Sequence, residues 1–340
     1  MKERNYNYDI MRIVACVMII CMHAPMPSDA ANPLFLNATG YFMAPGLCIF
    51  FMLSGALLLP VKTDTFTFLK KRLGKVVTPT LCFTASYMVL DFLNGAQSNW
   101  LQKICSIPFS NQGHGILWFM YTLIGLYFIS PILSRWLERV SKRELEFYLM
   151  LWGVTLCFPL LSMFVETNLS NTGMLFYFSG YVGYFVLGHY LSKYPQALSL
   201  KVLALSTMIA IVAPVAFKVL HVDVDFYSVF WYLSIFVAIL TVTLFRLFTF
   251  KSIMLVKGTI VERIITTTSG LSFGIYLVHI AIMRNWLWKQ EWIININNYI
   301  LQWTVIVVLT FALSWMAAYL ISLLPFGDWI IGFKRKKVSG

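Results

Sequence analysis

Charged residues are scarce in this chain. Only 12% of its 340 residues are Asp, Glu, Lys or Arg, whereas a soluble domain has about 25%. Hydrophobic residues make up 59% of the chain, and the mean hydropathy is +0.75. This composition excludes an ordinary soluble protein. Because the apolar runs are long and continuous rather than alternating, it favours a membrane protein of helices over a β-barrel.

Several common sequence signals are also absent. The six cysteines show no metal-type spacing, and all but Cys105 fall inside apolar runs, so we interpret them as packing residues and expect no metal site. The first apolar run lacks a small-x-small cleavage site, so we expect it to remain as a span. No segment has the composition of a soluble domain, and no internal repeat is evident. The sequence therefore predicts one integral-membrane domain over residues 1–340.

Ten apolar runs are long enough to be membrane spans. With the N-terminus on the cytoplasmic side, 21 of the 26 Lys and Arg residues fall in inside segments and 4 in outside segments, with Arg12 in the first span. This bias predicts an all-α, polytopic helical bundle of about ten transmembrane helices with both termini cytoplasmic. It also accounts for the net charge of +12 without a nucleic-acid partner. The predicted spans cover about residues 8–25, 40–60, 76–94, 115–135, 147–165, 174–192, 202–220, 228–248, 266–285 and 299–324.

The first span is apolar except for Asp9, Arg12 and His23. In a helix, Arg12 and His23 lie roughly 16 Å apart along the axis and about 20° apart around it. Asp9 lies one turn before Arg12, at a spacing that permits an ion pair. Ionisable groups are costly inside a bilayer, so this stripe predicts a functional site. The alternative is structural: an Asp9–Arg12 pair at the membrane face and a histidine bonded to a neighbouring helix.

Six short motifs follow one another along the chain. They are Asp9-x-x-Arg12 with His23, the run FFMLSGA at 50–56, KKRLGKVVTP at 70–79, HGILWF at 114–119, YFISP at 127–131 and FGIYLVH at 273–279. Together they resemble membrane acyltransferase family 3 over essentially the whole chain. In architecture the chain is similar to the stand-alone O-acetyltransferase type that decorates enterobacterial common antigen. One departure is Arg72-Leu-Gly-Lys75, where the family often has Arg-x-x-Arg; a lysine keeps the charge but lacks the planar fork.

The resemblance implies transfer of an acyl group, most often acetyl from acetyl-CoA, to an extracytoplasmic glycan or lipid-linked saccharide. It places the chain in the bacterial inner membrane, among membrane lipids. We expect His23 to be the catalytic base, because an imidazole can take a hydroxyl proton near neutral pH. An acyl-imidazole intermediate on His23 is an equally open route. Arg12, oriented by Asp9, is expected to hold CoA near its pyrophosphate or pantetheine groups.

Two further groups of residues have implied roles. The cations of the densest internal basic cluster are expected to attract the phosphates of CoA, although the positive-inside rule alone would also place a cluster there. These cations are Lys70, Lys71, Arg72 and Lys75. Four residues, with His114 on the predicted outer side and His279 at mid-depth in the ninth span, are expected to contact the acceptor or to orient His23. They are His114, His279, Trp118 and Tyr276.

Three other readings stay open at the level of sequence. Arg12 and His23 would also suit a transporter of an anionic substrate. Another acyl group, such as succinyl, or another acceptor would suit the same family. A membrane sensor would leave the two intramembrane ionisable residues unexplained. The oligomeric state is not defined by the sequence.

Ser54 and Gly55 in the second predicted span are small residues, which predict that another helix packs closely against this point.

Overall fold

A computed structural model describes residues 4–26, 33–95, 99–111, 115–168 and 170–333. Within these ranges every regular element is helical and no strand occurs, which confirms the predicted all-α class. Three of the elements are short 3-10 turns. The α-helices are α1 (Tyr6–His23), α2 (Pro33–Met43), α3 (Pro45–Leu58), α4 (Thr65–Leu73), α5 (Val77–Leu93), α6 (Trp100–Ser106), α7 (Trp118–Leu137), α8 (Lys142–Leu161), α9 (Val182–Lys193), α10 (Leu200–Val219), α11 (Phe226–Val229), α12 (Ile235–Thr249), α13 (Ile260–Asn285), α14 (Glu291–Ile294), α15 (Tyr299–Leu323) and α16 (Gly327–Ile331).

Eight helical stretches in the described ranges are long and apolar enough to cross a membrane. The other two predicted spans, 174–192 and 228–248, coincide with the shorter helices α9 and α12. The count of ten and the cytoplasmic placement of both ends therefore stay predictions. The eight stretches are Tyr6–His23, Leu34–Leu58, Thr65–Leu93, Gly115–Leu137, Lys142–Leu161, Leu200–Val219, Ile260–Lys289 and Tyr299–Leu323.

The chain forms two compact units, each assembled from two separate stretches. The first unit comprises residues 1–60 and 134–269, and the second comprises residues 61–133 and 270–340. Two of the three boundaries fall inside α7 and α13, and the third lies between α3 and α4. The single domain expected from the sequence stays a prediction.

The core of the first unit is built on α3 and α9, which cross at two glycines. A Cβ added at Gly55 would lie 1.7 Å from the carbonyl oxygen of Phe185, and one at Gly188 would lie 1.9 Å from that of Met52. The backbones therefore touch where no side chain intervenes. This is the close approach that Gly55 predicted, and it is the usual way in which helices pack tightly in membranes.

The start of α1 is attached to the last turn of α12 and to the segment that follows it. The side-chain amide of Asn7 donates to the carbonyls of Phe248 and Lys251, the latter at 2.6 Å. Its amide oxygen accepts from the backbone N–H of Ile253 at 2.8 Å. Asn5 caps the helix, because its side-chain oxygen accepts from the N–H groups of Asn7 and Tyr8. These hydrogen bonds hold the polar N-terminal turn of α1, which precedes the apolar part of the helix.

The second unit is organised around the C-terminal part of α13. The hydroxyl of Tyr87 on α5 donates to the carbonyl of Leu277 at 2.9 Å. A Cβ added at Gly274 would lie 3.0 Å from the side chain of Ala318 on α15, so α13 and α15 run close together there. These contacts hold the residues of the FGIYLVH motif in the interior of the unit.

Candidate active site

The carboxylate of Asp9 is the centre of a polar cluster at the start of α1. Its side chain is only 5% exposed. It accepts two hydrogen bonds from Arg4, at 2.6 and 3.1 Å, and one from the hydroxyl of Ser269 at 2.7 Å. The hydrogen bond to Asp9 raises the pKa of Arg4, which therefore stays charged. A buried carboxylate needs partners of this kind, since an unpaired one would be very costly.

Arg12 is the weaker partner of Asp9. Its Nη1 lies 3.8 Å from Oδ1 of the carboxylate, beyond hydrogen-bond distance, and its side chain is 33% exposed. The predicted Asp9–Arg12 ion pair is therefore present, but the two-pronged contact belongs to Arg4. Sequence reasoning missed Arg4 because it precedes the helix. It missed Ser269 because that residue lies 260 positions away in the chain.

We expect Asp9→Asn to destabilise the protein by about 1–3 kcal/mol, because the amide cannot accept the charged, two-pronged contact of Arg4. Thermal unfolding of the purified protein would measure this loss. Asp91→Asn is the matched control. The side chain of Asp91 is 39% exposed, and its carboxylate lies 3.9 Å from the ammonium group of Lys103, which is a long ion-pair distance. An exposed pair of that kind contributes at most about 1 kcal/mol. Equal melting temperatures for the two variants would contradict the central role of Asp9.

His23 is the last residue of α1, and its hydrogen bonding fixes its chemistry. Nδ1 lies 2.8 Å from the carbonyl oxygen of Ile19, one turn earlier. A carbonyl only accepts, so Nδ1 must carry the proton and donate it. In the neutral ring the basic lone pair is then on Nε2. The structural alternative from the sequence is a histidine bonded to a neighbouring helix, whereas this hydrogen bond is made within α1 itself.

A tyrosine of the first unit contacts the end of α1 next to His23. The hydroxyl of Tyr232 lies 3.4 Å from the sulfur of Met22, next to His23. The carbonyl of Tyr232 in turn accepts from the hydroxyl of Tyr184 at 2.6 Å. These contacts hold the chain before α12 against the end of α1. His23 itself is partly buried, so its ring lies at the edge of this packed region.

Two of the predicted acceptor contacts lie together in the second unit. Tyr276 donates its hydroxyl hydrogen bond to the carbonyl of Ile116, and its ring lies 5.4 Å from that of Phe119. Nδ1 of His279 bonds the carbonyl of Tyr276. Both side chains are buried, at 4% and 0% exposure. Trp118 begins α7 in the same 116–119 segment and is partly buried, whereas His114 lies outside the described residues.

The predicted CoA-binding cations lie at the end of α4. Lys70, Lys71 and Arg72 occupy its last turn, and Lys75 follows one turn later. The three lysines are exposed and Arg72 is partly buried. No carboxylate of the described chain forms a salt bridge with any of them. Cations at a helix C-terminus stabilise the helix dipole, so the cluster also has a structural reason to exist.

The site residues divide between the two units. Asp9, Arg12 and His23 belong to the first unit, and the basic cluster, Trp118, Tyr276 and His279 belong to the second. Their convergence on one site stays a prediction. In the described part of the chain, no three His, Cys, Asp or Glu side chains are grouped as metal ligands would be.

Comparison with known proteins supplies the family. A sequence profile of acyltransferase family 3, described as an acyltransferase domain, matches residues 5–319. No curated protein and no solved structure gives a significant match. The matched region ends within α15 and contains every site residue predicted from the sequence, whereas Arg4 of the Asp9 cluster lies one residue before it. Because the match covers nearly the whole chain, this protein belongs to the membrane acyltransferase 3 family.

Proposed function

We propose that this protein is an O-acetyltransferase that uses cytoplasmic acetyl-CoA to acetylate a hydroxyl group of an extracytoplasmic or lipid-linked glycan. The observation that carries the proposal is the family match over residues 5–319, since it makes the chain an acyltransferase. The polar residues of α1 give that activity a chemical basis. The family suggests a bacterial inner membrane as the setting, and the Lys and Arg distribution supports both chain ends in the cytoplasm.

His23 acts on the acceptor hydroxyl in this proposal. Nε2 takes the hydroxyl proton while the hydroxyl oxygen attacks the thioester carbonyl, and the thiolate of CoA leaves. Support comes from the bond between Nδ1 and Ile19, which puts the accepting lone pair on Nε2. Initial attack of Nε2 on the thioester, followed by transfer to the hydroxyl, would use the same lone pair. Both routes require a neutral imidazole.

Acetyl-CoA enters from the cytoplasmic side. Its phosphates bind Arg72 and Lys75, with Lys70 and Lys71 attracting the ligand, because the cluster is basic and has no protein counter-ion in the described chain. The pantetheine arm is on the order of 15–20 Å long, close to the roughly 16 Å between Arg12 and His23 along α1. Asp9 holds Arg12 in place beside this path. Such an arrangement brings the thioester to His23 without moving CoA across the bilayer.

The acceptor approaches from the outer side. His279, Tyr276, Trp118 and His114 contact it or position the catalytic histidine. His279 and Tyr276 are buried, so these two residues act through the 116–119 segment rather than by direct contact with the acceptor. The 116–119 segment, which Tyr276 holds, then forms part of the acceptor surface.

The test measures transfer directly. Membranes containing the protein are incubated with [¹⁴C]acetyl-CoA, and surface glycans from cells with and without the protein are compared by mass spectrometry. Expected results are label in a saccharide fraction and an added acetyl mass that depend on the protein. Succinyl-CoA in place of acetyl-CoA tests the donor. Transfer from succinyl-CoA alone would refute the acetyl donor, and label found only in lipid or protein would refute the glycan acceptor.

A further inference from the structure

A groove on the first unit runs between α10 and α12. Its volume is about 440 Å³. Along α10 the groove extends from Leu200 to Ile211, a rise of roughly 16 Å. The side chains at its rim are apolar and strongly exposed, including Met208 at 59% and Leu247 at 66%. In a membrane protein such a rim faces the lipid chains.

One charged side chain lines this apolar groove. Arg246, in the last turn of α12, is only 7% exposed. Its Nε is buried and has no hydrogen-bond partner in the described chain. The other polar groups of the wall have partners: the hydroxyls of Thr207 and Thr243 lie 2.6 Å apart, so one donates to the other, and the hydroxyl that accepts donates to a carbonyl of its own helix.

A buried guanidinium N–H without an acceptor in the described chain is costly in an apolar wall, and an anion in the groove would remove that cost. The groove also offers an apolar channel about as long as a lipid acyl chain. A ligand that satisfies both features carries a phosphate at one end and a hydrocarbon chain along the rest. Arg suits it well, because its planar fork binds a phosphate through two hydrogen bonds.

We propose that the α10–α12 groove binds an anionic phospholipid of the surrounding bilayer, with its phosphate on Arg246 and one acyl chain along the groove. The distribution of Lys and Arg predicts that this end of both helices faces the cytoplasm. Anionic lipids give the cytoplasmic leaflet its negative surface potential. The site does not depend on the proposed acetyl transfer, because none of the groove residues belongs to the α1 stripe.

Native mass spectrometry of the full-length protein tests this site. The protein is purified into nanodiscs of phosphatidylcholine with phosphatidylglycerol, and the lipid retained after release is counted. We expect the wild-type protein to retain phosphatidylglycerol. Arg246→Gln should lower its retention about tenfold, because a charge-assisted, two-pronged contact is lost. Lys201→Gln is the matched control, since it removes an exposed cation at the same end of α10 without touching the groove.

A second variant keeps the test decisive if Arg246→Gln does not fold. Ala204→Phe fills the groove with an apolar side chain and leaves Arg246 unchanged; Ala204 is exposed, so no packing is displaced. It should lower retention as much as Arg246→Gln. Full retention in Ala204→Phe, or an equal loss in Lys201→Gln, would overturn the proposal. So would equal retention of phosphatidylcholine, or binding of inorganic phosphate with no lipid retained.

Discussion

Replacing His23 by alanine is expected to reduce acyl transfer by a factor of about 10² to 10⁴, the usual contribution of a general base. The reason is the loss of Nε2, which no other group on the last turn of α1 can replace. His23→Gln should be equally inactive, because a glutamine side chain cannot take up the hydroxyl proton. The measurement is the rate of label transfer from [¹⁴C]acetyl-CoA to the saccharide fraction, with equal amounts of folded protein.

The matched control for this experiment is His221→Asn. His221 is an exposed histidine in the loop after α10, and its φ of 51° is a conformation that asparagine tolerates well. We expect its activity to stay within about twofold of wild type, the range of an ordinary surface substitution. If His23→Ala and His221→Asn transferred acetyl at the same rate, His23 would have no catalytic role. A labelled His23 peptide isolated without acceptor would identify the acyl-imidazole route.

Gly55→Ala and Gly188→Ala are expected to destabilise the first unit by about 3 kcal/mol or more each. The new Cβ atoms would lie 1.7 and 1.9 Å from backbone carbonyl oxygens of the facing helix, so α3 and α9 would have to separate. Backbone atoms cannot rotate away as a side chain can. Apparent melting temperatures of the purified variants, and the fraction recovered as monodisperse protein, would measure the effect.

Gly153→Ala separates this packing effect from the general effect of removing a glycine. Gly153 lies inside α8 with nothing within 4 Å of an added Cβ. Alanine is the better helix former by about 1 kcal/mol, so this variant should be as stable as wild type or slightly more stable. If all three variants melted together, the contact between α3 and α9 would not control stability.

The sequence predicted the long apolar helices well. A helix that crosses a membrane must be apolar over its whole length, so a long continuous apolar run marks it in the sequence. It predicted the close approach at Gly55 for a similar reason, since a small residue beside a serine has few other uses in a span. The two shorter helices show where this reasoning ends. Residues 183–191 of α9 are all buried. A helix enclosed by protein on all sides does not need to match the thickness of the lipid.

The site was only partly predictable. Helical spacing brought Asp9 and Arg12 together correctly, because that contact is local. The closer partners of Asp9, Arg4 and Ser269, depend on a capped helix end and on a distant helix, which spacing within one span cannot reveal. The groove residue Arg246 lies near the end of a predicted span, where the positive-inside rule alone accounts for a cation. The burial of Arg246 depends on the packing of α12 against α10. A single sequence does not show which helices pack against each other.

The attachment of α1 has a consequence for how the protein is made. Asn7 binds residues 241 and 244 positions later, and Asp9 binds Ser269. At about 5–20 residues per second, the ribosome needs roughly 10 to 50 s to supply these partners. During that interval the side chain of Asn7 lacks its acceptors and Asp9 has only its local partners Arg4 and Arg12. Premature termination before residue 240 would leave Asn7 permanently without those acceptors and expose the fragment to quality-control proteases.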